Sequence, residues 1–270
     1  GISVGDLFIG SVIPGLMMVG AFCVHVLLVA HLKPEVAPPL PPEALQISKS
    51  FLRQQVLRAV VPPLFLILLV LGSIFFGIAT PTEAGAVGCI GAMLLAAAYG
   101  QLKMSAIREV CDLTLRFTSM VMFILLGSTA FSLVFRGLRG DRILFDLLTN
   151  LPGGQAGFLL VNMLVIFFLG FFIDFFEIAF ILMPIFAPVA ESLGLDLVWY
   201  GVVIGANLQT SFLTPPFGFA LFFLRGVAPP EVTTKDIYRG AIPFICLQLI
   251  VLALIIIFPK TVTFLPSILS

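Results

Sequence analysis

Asn207-Leu-Gln-Thr-Ser-Phe-Leu-Thr214-Pro-Pro-Phe-Gly218 decides how this chain folds. It sits inside a 28-residue stretch without a charge, Leu197 to Leu224, long enough to cross a bilayer as a helix. No helix passes through it unbroken. Pro215 and Pro216 remove two amide donors, and Thr214 before them is biased away from helical geometry. Carbonyls of the turn from Asn207 to Ser211 are expected to lose their partners, and Asn207, Gln209, Thr210, Ser211 and Thr214 gather polar groups around the break. Unwound backbone at membrane depth persists only where protein or a water-filled cavity satisfies it.

Outward from this stretch the chain is apolar almost throughout. Of 270 residues 60% are hydrophobic and 10% charged, against about 25% charged in an ordinary globular protein. That is too little charge to cover a soluble fold, so most of the outer face must meet lipid. Six further charge-free windows of at least 19 residues run over 7–32, 59–82, 84–102, 117–135, 147–173 and 240–259. An eighth, Ile178 to Ala190, has 13 residues and two prolines. It is too short to span and reads as one arm of a re-entrant hairpin. Net charge is zero, which leaves no basic footprint for nucleic acid. Cys23, Cys89, Cys111 and Cys246 are scattered without metal or redox spacing, and His25 and His31 lack partner ligands.

Ten of the fourteen basic residues fall in 33–58, 103–116 and 225–239, which the positive-inside rule places in the cytoplasm. The hairpin, over about 155–190, then opens toward the periplasm. Its tip is Gly170-Phe-Phe-Ile-Asp174-Phe-Phe-Glu177. Two carboxylates three residues apart among phenylalanines are costly unless they face water, an ion or each other. A proline kink with a snorkelling carboxylate would explain either feature singly. A hairpin tip followed at once by a broken span favours a binding site, as secondary transporters build them.

Two other segments stand out. Residues 33–60 form a connector that begins proline-rich and stiff. In it Leu45, Phe51, Leu52 and Val56 alternate with Lys49, Arg53 and Arg58, as in an arm helix lying on lipid headgroups or a solvated linker helix. In Gly77-Ile-Ala-Thr-Pro-Thr-Glu-Ala-Gly-Ala-Val-Gly88, residues Thr80, Thr82 and Glu83 are either additional site residues or a helix start, with Glu83 favoured by the helix dipole.

These motifs together resemble one family. The Gly77–Gly88 stretch, the Pro-Ile-Phe-Ala-Pro segment after Asp174, the run from Asn207 to Gly218, and the opening Ser3-Val-Gly-Asp-Leu-Phe and Pro14-Gly-Leu look like the large membrane (permease) subunit of tripartite ATP-independent periplasmic (TRAP) transporters, in its C-terminal half. The resemblance implies an all-α polytopic protein of the bacterial inner membrane, one repeat of an inverted-repeat, elevator-type transporter. Residues 1–32 would close the first repeat and 61–270 form the second, with the hairpin at about 155–190 and the broken helix at about 197–224. The first repeat's hairpin and broken span are then expected to lie outside this chain, which reads as a fragment of a larger membrane protein.

Carried onto this sequence, the resemblance implies a substrate and ion site of Gly170, Asp174, Asn207, Thr214, Pro215 and Gly218. Sodium as coupling ion would be held through Gly170, Asn207 and Thr214, with no cofactor. Thr80, Thr82, Glu83 and Glu177 are possible additions. Implied partners are a small TRAP membrane subunit, a periplasmic solute-binding protein, membrane lipid and an organic-acid substrate with a carboxylate. Phe175, Phe176 and Phe180 depart from small-acid members and leave room for a larger or aromatic acid. A proton-coupled carrier using Asp174 is the nearest alternative. An intramembrane aspartyl hydrolase fits less well, because Asp174 and Glu177 share one tip instead of lying on two helices.

Overall fold

The computed structural model describes residues 2–37, 48–215, 218–229 and 231–269, and all regular structure among them is helical. The chain divides into two compact units, Cys23–Phe117 and a larger one joining Gly1–Phe22 to Thr118–Ser270. Helix α1 (Val4–Leu32) starts in the larger unit and ends in the smaller. The proline-rich part of the connector, 38–47, lies outside the described residues, as do Pro216 and Phe217.

In the smaller unit α2 (Lys49–Ala59) leads almost directly into α3 (Val61–Phe75), whose first turn carries Pro62 and Pro63 where amide donors are not needed. Helix α3 has no buried residue, and Leu64, Phe65, Ile67 and Leu68 are all exposed. Such an apolar surface suits lipid. Helix α4 (Pro81–Ala98) starts with a capping box. Thr80 N and Oγ1 both donate to Glu83 Oε2 at 2.8 Å, while Glu83 N donates back to Thr80 Oγ1 at 3.4 Å. Helices α3 and α4 approach closely at glycines. A methyl group on Gly88 would stand 3.1 Å from Val70, and one on Gly91 would collide with Leu66. Small residues let membrane helices pack this way without a hydrophobic drive.

The larger unit continues α5 (Met104–Gly137) into α6 (Gly140–Thr149), α7 (Gln155–Leu169) and a second hairpin arm. That arm is built from α8 (Phe175–Glu177), a π-helical turn (Ile178–Leu182) and α9 (Met183–Ser192). Gln155 Nε2 donates to Leu193 O at 2.5 Å and ties the open ends of the hairpin together. The arm runs for 18 residues, Phe175–Ser192, and is apolar and long enough to cross a membrane. The 13-residue window understates it, because Glu177 and Glu191 are absorbed into the helical arm instead of bounding it.

Helix α10 (Leu197–Leu213) is the centre of this unit. Trp199, Tyr200, Val202, Val203, Ile204, Ala206 and Leu208 are buried on it, among Phe158 and Ile166 of α7 and Val189 of α9. Asp196 caps its start, accepting from Trp199 N at 2.8 Å. Trp199 Nε1 donates to Ile255 O at 3.0 Å, fastening α10 to α12 (Thr234–Ile257). A methyl on Gly201 would come within 2.8 Å of Leu7, so α1 also packs here. Between α10 and α12 lies α11 (Phe219–Val227), and the short α13 (Lys260–Thr263) and α14 (Pro266–Leu269) close the chain.

Among the described residues six helices are long and apolar enough to cross a membrane: Val4–Leu32, Ser50–Phe75, Pro81–Ala98, Met104–Gly137, Phe175–Ser192 and Thr234–Ile257. Helices α7 and α10, at 15 and 17 residues, are shorter. At 1.5 Å per residue they reach about 22 and 25 Å, short of a hydrocarbon core of about 30 Å.

Candidate functional site

Two breaks in helical backbone lie in the larger unit. The first lies between the hairpin arms. Gly170 ends α7, its N–H donating to Ile166 O at 2.9 Å, and it is buried. A methyl group there would collide with Ser211 Oγ and stand 2.9 Å from Ser211 Cβ. Only glycine lets the hairpin tip touch α10. One turn earlier, Asn207 Nδ2 donates to Met163 O at 2.9 Å, with Asn207 only 2% exposed. The structure thus brings Gly170, Asn207 and Ser211 together.

The second break follows α10. Thr214 leaves helical geometry at φ −92°, ψ 128°, as a residue before proline does. Its N–H donates to Ser211 O at 3.0 Å and its hydroxyl to Thr210 O at 2.8 Å. Thr210 and Ser211 hydroxyls donate in turn to Ala206 O and Leu208 O. This corrects one expectation. The carbonyls from Asn207 to Ser211 are not freed by the prolines, because the helix continues to Leu213 and Thr214 serves the last two. Oxygens without a described backbone donor lie beyond the helix ends, at Gly170 and at Thr214. Pro215 follows, half-buried. Gly218, at φ 29°, is buried where a side chain would meet Thr214 O at 3.2 Å. Thr214 and Gly218 therefore sit side by side at the mouth of α11.

Asp174 caps the second hairpin arm. Its Oδ1 accepts from Phe175 N at 2.7 Å. Glu177 is half-buried, and its Oε2 is buried with no hydrogen-bond partner among the described residues. Phe175 meets Phe176 edge-on at 5.6 Å, and Phe176 stacks on Phe180 at 6.1 Å, so the tip is aromatic in structure as well as in sequence. Thr80, Thr82 and Glu83 belong to the smaller unit, where Thr80 and Glu83 are engaged in the cap of α4 and Thr82 is exposed.

Several buried polar residues escaped the sequence reading. Asn162 and Gln248 are 0% and 3% exposed, and Ser128 is 4% exposed. Each lies inside a charge-free window, so a lone amide or hydroxyl at membrane depth was the available signal.

Chemically, the hairpin tip and the broken helix offer neutral oxygens, the Thr214 hydroxyl and Asn207 Oδ1 among them, together with loop carbonyls. Such a donor set suits a hard monovalent cation. The N-terminus of α11, begun by Gly218 without a side-chain cap, favours an anion.

Residues 1–261 match the family described as "Tripartite ATP-independent periplasmic transporter, DctM component". The chain is 30% identical to the sialic acid TRAP transporter large permease protein SiaM of Vibrio cholerae, over 98% of the chain and 60% of that protein. Identity is 30% to the C4-dicarboxylate TRAP transporter large permease protein DctM of Pseudomonas aeruginosa and 29% to the ectoine TRAP transporter large permease protein TeaC of Halomonas elongata. Each match again covers 98% of the chain and 60% of the relative. The chain therefore spans about six-tenths of the length of these relatives.

Proposed function

The chain belongs to the DctM component of the tripartite ATP-independent periplasmic transporters, a multi-pass permease of the bacterial inner membrane and no enzyme, and we propose that it forms part of a sodium-coupled importer of organic acids. The observation that carries this reading is the contact of the hairpin tip with the broken helix at Gly170 and Ser211. It places two sets of loop oxygens and an uncapped helix N-terminus in one unit. Sodium is held by the Gly170 carbonyl, Asn207 Oδ1 and the Thr214 hydroxyl. The substrate carboxylate takes the amide end of α11 beyond Gly218, with Asp174 and Pro215 shaping the tip and the break. Binding the cation first reduces the cost of placing an anion at membrane depth, which couples the two.

The substrate arrives on a periplasmic binding protein, and a small membrane subunit braces the scaffold while the site-bearing elements move as an elevator. Relatives are named for sialic acid, ectoine and C4-dicarboxylates. The Phe175, Phe176 and Phe180 cluster supports a larger or aromatic acid here.

Uptake by the full-length permease with its partners in proteoliposomes tests this. A panel of organic acids is scanned at fixed pH with and without a sodium gradient. Uptake that follows sodium supports the reading, and uptake that follows only a proton gradient replaces it with a proton-coupled carrier.

A further inference from the structure

Pro184 has no amide hydrogen to donate to Phe180 O, four residues earlier in the second hairpin arm. The Ser128 hydroxyl of α5 stands in for it, donating to Phe180 O at 2.6 Å. Neighbouring hydroxyls on α5 behave otherwise. Thr114 and Thr129 each turn back on their own helix, to Val110 O and Leu125 O at 2.7 Å. Ser128 reaches across to another element instead, and it is buried there. The carbonyl it meets lies in the π-helical turn, where the ladder has already slipped and Met183 N donates to Ile178 O. π-turns often mark functional positions.

From Phe180 a chain of contacts runs to the tip. Its ring stacks on Phe176 with an interplanar angle of 24°, Phe176 meets Phe175, and Phe175 N is the donor held by Asp174. We propose that Ser128 is a positioning residue for the substrate site: by holding Phe180 O it fixes the second hairpin arm and, through the stacked phenylalanines, the tip beside Asp174. This rests on the reading of the tip as part of the substrate site, although the hydrogen bond and its effect on the tip do not.

The test uses the full-length permease in proteoliposomes with Cys23, Cys89, Cys111 and Cys246 replaced by alanine. A single probe, Phe172→Cys, sits at the tip, where Phe172 is 62% exposed. Ser128→Ala is expected to raise its maleimide-labelling rate about fivefold, the loss of one hydrogen bond. Ser128→Thr keeps the hydroxyl and the parental rate. Adding Pro184→Ala to Ser128→Ala restores the parental rate, because residue 184 can then donate to Phe180 O itself. Labelling of Ser128→Ala at the parental rate overturns the proposal, and so does a double variant no better than Ser128→Ala. If Ser128→Ala fails to insert, Pro184→Ala with and without Ser128→Ala carries the test. Equal rates sustain the proposal and unequal rates overturn it. Uptake separates the two readings: a raised KM with kcat kept joins the tip to the substrate site. Faster labelling with KM unmoved sustains the effect on the tip and overturns its role in the substrate site.

Discussion

Asn207 holds Met163 O through its side-chain amide at 2.9 Å, so the helix that breaks at Thr214 is pinned to the hairpin's first arm two turns before the break. Asn207→Leu removes the donor while Met163 O keeps its partner within α7, so the cost is that of one hydrogen bond, about 0.5–1.5 kcal/mol. It also removes Oδ1 from the proposed sodium site. A lower melting temperature in detergent and weaker sodium-dependent uptake are expected together. Loss of stability with sodium affinity intact would make Asn207 purely a packing residue.

Gly170 and Ser211 make a sharper pair. Gly170→Ala drives a methyl group into Ser211, and overpacking of this kind costs about 1–3 kcal/mol. Uptake is expected to fall about tenfold as the tip lifts from α10. Ser211→Gly in the same chain removes both clashing atoms and should recover part of the loss. Gly170→Ala alone with unchanged uptake would mean that the tip need not touch α10 during transport.

Much of this was legible in the sequence. Prolines lack an N–H in any environment, so the break at Thr214 followed from chemistry alone, and Gly170 followed from a glycine at the end of an apolar run. The hairpin's second arm is longer than its charge-free window, because charge does not bound the helix there. Glu177 enters the helix behind the Asp174 cap, and Glu191 stays within its last turn. Partners across space were beyond reach. Thr214 supplies Thr210 O and Ser211 O from its own hydroxyl and amide, and nothing in the spacing distinguishes that from open carbonyls. Ser128 looked like any helical serine until Pro184 was placed opposite it.

Orientation is tested by cysteine labelling. Gly153 has φ 93°, where any side chain is strained, so a probe in that loop belongs at the exposed Asn150. If 33–58, 103–116 and 225–239 are cytoplasmic, an impermeant maleimide added outside labels Asn150→Cys and spares Lys103→Cys. The reverse pattern would turn the hairpin's opening to the cytoplasm and remove its access to a periplasmic binding protein.

Pro215 and Pro216 separate a binding break from a packing kink. Replacing both with alanine returns two amides that α10 can use to run on past Leu213. Residue 215 then competes with Thr214 N for Ser211 O, residue 216 can donate to Phe212 O, and the bend that sets Thr214 beside Gly218 is straightened. Thr214 joins the helix, which carries its hydroxyl out of the proposed sodium site, while the amide end of α11 loses its turn. Sodium affinity and carboxylate uptake should fall together, each by about tenfold or more, with membrane insertion intact, since a continuous helix is easier to insert. Thr214→Val tests the hydroxyl alone. It removes one proposed ligand and the bond to Thr210 O but keeps the break, so sodium affinity falls by less than in the double alanine chain, and Thr214→Ser restores it. Measuring the sodium dependence of uptake in all three decides the matter. Normal transport with unaltered sodium affinity in the double variant would leave the break as a bend for packing and move the ion site elsewhere.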